Sequence, residues 1–409
     1  MRSTDLTGSR GEHDRPWSRR FAAVVYFLIV TCVAGLGGLA APQVGWDVLG
    51  YAGVVLSYES RDAAAIHGGA YGALRDAARE ADVEELTRST PYRAELAQAP
   101  DAFVEQLPFY RVRVIFSSLV YLLYKGGVNV VQAASAVAAL SYALLALLGL
   151  TWMRRYLDPV SAVLVSSFVF LSFPFTQAAR IPTPDGLAAF FAVAAVYVLL
   201  EKRNWRLAFA ILTAAVFVRH DTAILGLMLS AGLLVLDRGE RLRVRLLRFA
   251  ASSAAILAAY AVVSRLGGYG WRTLFHHTFI NHLSYPASSP APVGLDDYVR
   301  VVVTSLLPDA LVSYAVLYLL VLAIAAASYV RAGGKLTLND PWLVVLALML
   351  LHLVVRTLLF PAFWERFLLA HYLFFALFSV RLLRLAPHPA PTLDDLAPAP
   401  PSMAHVPPR

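Results

Sequence analysis

Two aspartates stand next to the ends of apolar stretches of this sequence, where they could take part in acid–base chemistry. Asp47 lies in the segment GWDVLGY, a few residues after the first long apolar run, and Asp185 follows the two prolines of IPTPDG. A carboxylate in such a place can act as a general base that takes a proton from a hydroxyl group. Each can equally cap the helix that begins beside it, because aspartate is a preferred N-cap residue. Sequence position alone leaves both roles open.

A second group of ionisable residues is the trio Arg219-His220-Asp221, which separates two apolar segments. Such residues are costly between membrane helices unless they pair with one another or line water. The trio therefore indicates either a functional site or a self-paired surface turn. Further arginines flank neighbouring apolar segments: Arg111, Arg113, Arg180, Arg272 and Arg366. Arginine holds phosphate through a planar, permanently charged fork, although it also contacts phospholipid headgroups.

The histidines of HHTFINH (His276, His277 and His282) have a spacing that could suit a metal ion. No nearby cysteine or paired acid completes a ligand set, so a packed surface or contact with an acceptor is favoured. The sequence contains no P-loop, HExxH or GxSxG motif, and its adjacent acid pairs form no DxD. Chemistry driven by a cytoplasmic nucleotide is therefore not supported. No pattern requires a cofactor, and a divalent cation supported by Asp185 stays optional.

The elements that position these residues are membrane helices. Of 409 residues, 58% are hydrophobic and 15% charged, and the mean hydropathy is +0.61; a soluble domain has about 25% charged residues. A run of about 20 apolar residues spans a bilayer, and inside lipid it must be helical. The composition excludes a soluble globular enzyme and predicts an all-α polytopic membrane protein of about ten spans. The predicted spans are 21–41, 127–152, 159–179, 187–201, 205–218, 222–236, 246–265, 308–330, 340–359 and 366–384.

The distribution of basic residues predicts the topology. If the short apolar segment 112–124 is interfacial instead of crossing, the basic groups between spans all face the cytoplasm, as the positive-inside rule requires. Both termini are then cytoplasmic in the cell (plasma) membrane, and Asp47, Asp185 and Arg219 share the outer face. The net charge of +8 is explained by these topology signals, and no pattern predicts nucleic-acid binding. The only cysteine, Cys32, allows no intrachain disulfide.

The predicted organisation is a transmembrane domain, 19–385, between a polar N-terminal tail, 1–18, and a Pro-rich C-terminal tail, 386–409, both disordered and cytoplasmic. Outward loops are expected at 42–126 and 266–307, and residues 59–90 of the first loop read as amphipathic helix on the outer surface. The run 21–41 is predicted to be a retained helix. It is longer than the apolar part of a typical signal peptide, the alternative that Ala40-Ala41-Pro42 leaves open.

The order of these segments resembles the GT-C superfamily of membrane glycosyltransferases. After the loop that opens with Asp47 come PFYRVRVIFSSLVYLLYKGG, TPDGLAAFFAVAAVYVLL and AFAILTAAVFVRHDTAILGLML. The likeness covers roughly residues 20–240 and is closest to the branch of protein O-mannosyltransferases and the lipid A aminoarabinose transferase. Asp47 matches the family's first-loop acid, Asp185 the acid that opens a later helix, Arg219 a basic position near the carrier phosphate and Tyr51 a tyrosine after the first acid. Many relatives carry two adjacent acids in the first loop, whereas here Val48 follows Asp47.

The resemblance implies an enzyme that transfers a sugar from a polyprenyl-phosphate-linked donor to a glycan, lipid or protein acceptor of the cell envelope, usually with inversion. Asp47 would deprotonate the acceptor hydroxyl, and Asp185 would position the sugar or the acceptor. The expected contacts of the carrier phosphate and substrates are Tyr51, Arg111, Arg113, Arg219, His220, Arg272 and Arg366. The tryptophans Trp46, Trp271 and Trp364 could stack on sugar rings or anchor the protein at the membrane interface. The rival functions are a transporter or lipid-linked sugar flippase, and a non-catalytic subunit of an envelope complex.

Overall fold

The computed structural model describes residues 16–236 and 239–386, and these residues form helices and connecting loops without a β-strand. The all-α class expected from the composition is therefore present. The predicted tails, 1–18 and 386–409, lie outside the described residues except for 16–18 and 386. Residues 16–18 belong to the first helix, so the helical part of the chain begins before the predicted boundary.

Twenty-one α-helices are labelled here in chain order. The first eleven are α1 Pro16–Cys32, α2 Trp46–Leu56, α3 Ala63–Ala77, α4 Glu80–Arg88, α5 Pro91–Gln98, α6 Pro100–Gln106, α7 Pro108–Arg111, α8 Val114–Lys125, α9 Val130–Met153, α10 Pro159–Leu171 and α11 Phe173–Arg180. The remainder are α12 Asp185–Glu201, α13 Trp205–Val218, α14 Thr222–Leu236, α15 Leu242–Arg265, α16 Trp271–Phe275, α17 Leu295–Val301, α18 Leu307–Leu311, α19 Tyr314–Arg331, α20 Pro341–Leu359 and α21 Leu369–Leu385. Three π-helical segments, Val33–Ala40, His276–Ile280 and Val302–Leu306, and one 3-10 turn, Glu365–Phe367, complete the helical elements of the described residues.

Five helical segments are long and apolar enough to cross a membrane: Ala23–Ala40, α9, α15, α19 and α20. Two bent pairs, residues 100–111 with α8 and α10 with α11, raise the number to seven if each pair is one span. Every one of the ten predicted spans contains a helix, but α13 has only 14 residues and α14 only 15. At 1.5 Å per residue such helices reach about 21 Å, which is less than the hydrocarbon core of about 30 Å. The structure thus supports a polytopic bundle, and the count of ten stays a prediction.

The predicted outward loop 42–126 is helical throughout most of its length. Its segment 59–90 forms two helices, α3 and α4, separated at residues 78–79 instead of one continuous helix. The short apolar segment 112–124 forms α8, which turns by 117° from residues 100–111. Phe116 and Val120 of α8 are fully buried, whereas Leu122 is 66% exposed. This amphipathic face is the kind of surface that an interfacial helix presents to lipid.

Close helix packing around α9 brings the first loop onto the rest of the bundle. The backbone at Gly38 approaches so closely that an added Cβ would lie 2.7 Å from Ala139, and one at Gly149 would lie 2.6 Å from the Phe170 ring. Small residues allow membrane helices to approach in this way. The helices α1, α8, α11 and α12 all pack against α9. The interior of the bundle forms one large apolar core, and the first loop forms a second core with α8 and the start of α9.

Three consecutive helices alternate in direction and so define two ends of the bundle. α12 runs away from Asp185, α13 returns to Arg219, and α14 leaves again from Thr222. α12 and α13 pack along each other, as do α13 and α14. Asp185 and the trio Arg219-His220-Asp221 therefore lie at one end, and the basic residues that follow α12 lie about 25 Å away at the other.

Candidate functional site

Asp47 and Asp185, 138 positions apart in the sequence, share one arginine. Arg366 Nη2 donates to Asp47 Oδ2 at 3.0 Å, and Arg366 Nε lies 3.2 Å from Asp185 Oδ2. Asp47 lies in the first turn of α2, Asp185 is the first residue of α12, and Arg366 lies in the 3-10 turn before α21. Both carboxylates thus lie at helix N-termini, where backbone N–H groups favour negative charge. The guanidinium fork joins three separate parts of the chain.

Arg219 extends this cluster to a third carboxylate. Its Nη1 is ion-paired with Asp185 Oδ1, and it holds Asp221 in a two-point contact, Nε to Oδ1 at 3.0 Å and Nη2 to Oδ2 at 2.7 Å. Thr183 donates its hydroxyl to Asp185 Oδ2 at 2.8 Å. The predicted trio is therefore self-paired through Arg219 and Asp221, and it is also joined to Asp185. We name the five residues Asp47, Asp185, Arg219, Asp221 and Arg366 the carboxylate–arginine cluster.

The members of the cluster differ in solvent exposure, so they are suited to different roles. The side chain of Asp185 is 3% exposed and that of Arg219 10%, whereas Asp47 is 33% exposed. Both oxygens of Asp185 are already engaged: Oδ1 accepts from Arg219, while Oδ2 is ion-paired with Arg366 and accepts from Thr183. Asp47 is the carboxylate of this pair that an incoming hydroxyl group can reach, and Asp185 is placed to hold the two arginines.

Mutual pairing keeps Arg219 and Asp221 charged in spite of burial. Burial disfavours the charged form of Arg219, but Asp221 and Asp185 outweigh it and raise the pKa of the guanidinium above its ordinary value. Burial likewise opposes ionisation of Asp221, yet the charge and hydrogen bonds of Arg219 lower the pKa of this carboxyl well below its ordinary value. His220 has no such partner, and burial, with the nearby charge of Arg113, lowers its pKa to about 4. His220 is therefore neutral at physiological pH.

An aromatic ring separates the positive charges. Arg219 Cζ lies 4.1 Å and Arg356 Cζ 4.4 Å from the centroid of Phe367, while Arg366 Cζ lies 5.4 Å from it. A guanidinium over an aromatic ring is stabilised by the negative face of the ring. Phe367 thus contributes to the packing of three like charges in a small volume, together with the three carboxylates.

Tyrosines form the wall of the site toward the first outward loop. Tyr110 donates its hydroxyl to Asp47 Oδ1 at 3.4 Å, and its ring packs edge-on against Tyr51 at 5.2 Å between centroids. Tyr51, predicted as a substrate contact, is only 3% exposed. Arg113 donates to the carbonyl oxygen of Phe109, and its Nε is buried without a partner among the described residues. Tyr51 therefore acts in this structure as a packing residue behind Asp47.

Two predicted arginines, Arg111 and Arg272, and two of the three predicted tryptophans lie apart from the cluster. Arg272 is exposed on α16, and Arg111 lies beside the loop at Gly267, 3.7 Å from the position of an added Cβ. Trp271 donates to the carbonyl oxygen of Leu359 at 2.6 Å, and Trp46 packs against Tyr92. Among the three tryptophans Trp364 is the one beside the cluster, since Arg366 Cζ lies 5.2 Å from its ring.

The three histidines of the second outward loop are engaged in packing. His276 and His282 each bond a backbone carbonyl through Nδ1, at 2.9 and 2.7 Å, while the ring of His277 stacks on Phe109 at 4.7 Å. In the part of the chain that the structure describes, no group of three or more His, Cys, Asp or Glu side chains is arranged to hold a metal ion.

A small cavity of about 50 Å³ adjoins the cluster and contains residues that the sequence analysis missed. Arg356, 4% exposed, lines it from α20 and reaches the carbonyl oxygen of Ala362 at 3.5 Å. His352 and His371 face each other there, with Nδ1 and Nε2 3.0 Å apart and the rings stacked. An arginine inside a predicted span is a functional signal in its own right, so the segment 340–359 could have revealed Arg356. Phe367 offered no comparable signal.

Fold and site together define an all-helical, membrane-embedded protein in which buried and partly buried carboxylates and arginines from four chain segments meet at one end of the bundle. No protein-family model matches the chain, and no curated protein or solved structure is significantly similar to it.

Proposed function

We propose that the protein is a membrane glycosyltransferase of the GT-C type, which moves a sugar from a polyprenyl-phosphate carrier to an acceptor hydroxyl at the outer face of the cell membrane. The observation that carries the proposal is the bridge from Asp47 through Arg366 to Asp185 and Arg219. The resemblance assigned function to three of these residues, and they meet in one place. A bundle that serves only as a scaffold has no need of a partly exposed carboxylate joined to arginines that are largely buried.

In the proposed reaction Asp47 accepts the proton of the acceptor hydroxyl, because it is the more exposed carboxylate of the pair that it forms with Asp185. The acceptor oxygen attacks the anomeric carbon as the bond to the carrier phosphate breaks, and the phosphate leaves as an anion. Attack in line with the leaving group inverts the configuration. A departing phosphate needs cations already in position. Arg356 is suited to this task because it contacts a carbonyl oxygen and no carboxylate in the described part of the chain. Arg219 and Arg366 are each held by two carboxylates, so Arg366 can take part once it leaves Asp47.

Substrate binding in this proposal requires the site to open. The cavity of about 50 Å³ beside the cluster suits water rather than a sugar, since one water occupies about 30 Å³ in the liquid. The 3-10 turn that carries Arg366 lies between α20 and α21 and contacts α11 and α12. A shift of this turn would release Arg366 from Asp47 toward the donor phosphate. The ten-span topology is part of the same proposal.

A transporter or lipid-linked sugar flippase is the second candidate, and the broken helix pair α10–α11 favours it. The two helices meet at Ser172 with a bend of 64°, and broken helices form the binding sites of many transporters. The buried charges, however, lie at helix ends: Arg356 stands in the last turn of α20 and Asp185 at the start of α12. This placement at one face suits chemistry at a surface better than passage through the bilayer.

The experiment is deletion of the gene, followed by complementation and mass spectrometry of polyprenyl-linked sugars and envelope glycans. We expect the deletion to accumulate a polyprenyl-phosphate sugar and to lose one glycosylated product. The wild-type gene should restore the product, and Asp47→Asn, which removes the base while preserving size, should reduce transfer at least 100-fold. Asp101→Asn is the matched control, because Asp101 is an exposed acid of the same outward loop.

Normal transfer by Asp47→Asn protein would contradict the assignment of the base. A deletion strain with unchanged lipid-linked sugars and glycans would remove the glycosyltransferase proposal. The flippase instead predicts that purified protein moves the lipid-linked sugar across vesicles that contain no acceptor, with Asp47→Asn affecting translocation and no product formed.

A further inference from the structure

A second cavity, of about 620 Å³, lies at the opposite end of the helices from the carboxylate–arginine cluster. Its walls come from the turn between α12 and α13, from the end of α14 and from the start of α15. Pro341, the first residue of α20, also lines it. α12 contains 17 residues between the two ends, so about 25 Å of helix separate the cavity from Asp185. Nothing in the proposed sugar transfer uses this region.

The walls of the cavity combine positive charge with apolar surface. Among the described residues, four cations and one acid line it: Lys202, Arg203, Arg206, Arg248 and Glu240. The apolar wall consists of leucines from the ends of two helices: Leu199, Leu200, Leu233 and Leu236. An excess of positive charge above a leucine wall matches a molecule with an anionic group and an adjoining apolar part.

Trp205 stands between two of the cations and helps to orient them. The Cζ atoms of Arg206 and Arg248 each lie 5.7 Å from its ring, and Arg248 Nη2 also lies 3.1 Å from Glu240 Oε1. The preceding turn has an unusual backbone, because Arg203 adopts φ = 52°. This left-handed conformation is uncommon for a residue with a side chain. It places Lys202 and Arg203 directly after the end of α12, on the rim of the cavity.

We propose that this cavity binds the phosphate headgroup of an anionic phospholipid. Arginine forks match phosphate oxygens in geometry and charge, and the leucine wall can receive the first methylene groups of the acyl chains. The cavity lies at the end of the bundle that the positive-inside rule assigns to the cytoplasm, where anionic lipids attract basic segments. A free phosphate compound would offer the same charge but would leave the leucine wall without a contact.

The test is isothermal titration calorimetry of the purified full-length protein in a neutral detergent. The probes are dioctanoyl phosphatidylglycerol, its zwitterionic counterpart dioctanoyl phosphatidylcholine, and inorganic phosphate. We expect saturable binding of phosphatidylglycerol at least tenfold tighter than of the other two probes. Equal affinity for the two lipids would overturn the proposal. Inorganic phosphate that binds as tightly as phosphatidylglycerol would also overturn it, because the ligand would then be a soluble phosphate compound.

Charge-changing variants test whether phosphatidylglycerol binds in this cavity. They are chosen so that no packed side chain is removed. Arg206→Gln should weaken phosphatidylglycerol binding about fivefold, the usual effect of one cation near an anionic lipid. Glu240→Gln removes the acid and should tighten binding, which no misfolded variant would do. Lys335→Gln is the control, since Lys335 is exposed in the loop before α20, at the same end but outside the cavity. The site is wrong if Lys335→Gln weakens binding as much as Arg206→Gln, or if Glu240→Gln leaves the affinity unchanged.

Discussion

Replacing Asp185 by asparagine should destabilise the protein strongly, because this carboxylate neutralises two buried arginines. Its side chain is 3% exposed and is ion-paired with Arg219, which is 10% exposed, and with Arg366, which is 16% exposed. Asparagine keeps the size of the side chain and removes the charge. Both guanidinium groups would then remain in a low-dielectric environment with one partner fewer.

The expected magnitude follows from what each arginine retains. Removal of one partner from a buried ion pair costs about 3–5 kcal/mol. Arg219 would keep Asp221, and Arg366 would keep Asp47, so the loss in the free energy of unfolding should lie at the lower end, about 3 kcal/mol. If Arg219→Gln is added to Asp185→Asn, the second loss should be smaller than Arg219→Gln causes alone. The double-mutant cycle should give a coupling energy of about 2 kcal/mol.

The assay is unfolding of the purified protein in mixed dodecyl maltoside and sodium dodecyl sulphate micelles, followed by the circular dichroism of its helices. The exposed pair of Lys125 and Glu59, with a nitrogen–oxygen distance of 2.8 Å, is the control. Lys125→Gln should leave the unfolding curve unchanged, because exposed ion pairs contribute little. A free energy of unfolding unaltered by Asp185→Asn, or a coupling energy of zero with Arg219, would refute the reasoning.

The remaining predictions concern packing behind the site and the response to pH. Gly50→Ala should cost about 2 kcal/mol of stability, because an added Cβ would lie 2.4 Å from the ring of Tyr110; thermal unfolding measures the loss. For His220 the pKa falls from its ordinary value of 6.5 to about 4 on folding, so the unfolded chain binds more protons between these values. Stability that is fully present above pH 6.5 should therefore be lost as the pH falls toward 4, and His220→Gln should flatten this dependence.

Two comparisons make these predictions specific. Gly72→Ala is the control for Gly50→Ala, since an added Cβ at this helical glycine meets nothing within 4 Å; equal losses from both variants would contradict the packing argument. For the histidine, the difference in stability between wild type and His220→Gln is measured at several values from pH 4 to pH 8. A difference that is constant over this range would show that His220 is not the group responsible.

The sequence by itself determined the helical class and several helix boundaries. The predicted segments 205–218 and 222–236 coincide with α13 and α14, because the apolar runs are interrupted by polar residues that satisfy helix ends. Asn204, for example, accepts from the backbone N–H of Leu207. Such information is local in the chain, since a cap and an apolar period involve residues within a few positions of each other. The two acids and Arg219 were selected as candidates for the same reason, from their positions at the ends of apolar runs.

Only the tertiary structure decided which charges meet. Arg366 reaches Asp47 across 319 positions of sequence, whereas Arg272, an equal candidate from its surroundings in the sequence, is exposed on α16. Arg356 lies within an apolar run of the sequence, yet in the structure it and Arg219 both contact the ring of Phe367. Partners of this kind depend on how each helix is rotated and packed against its neighbours. That rotation is set by the fit of many apolar side chains at once, and no short stretch of sequence contains it.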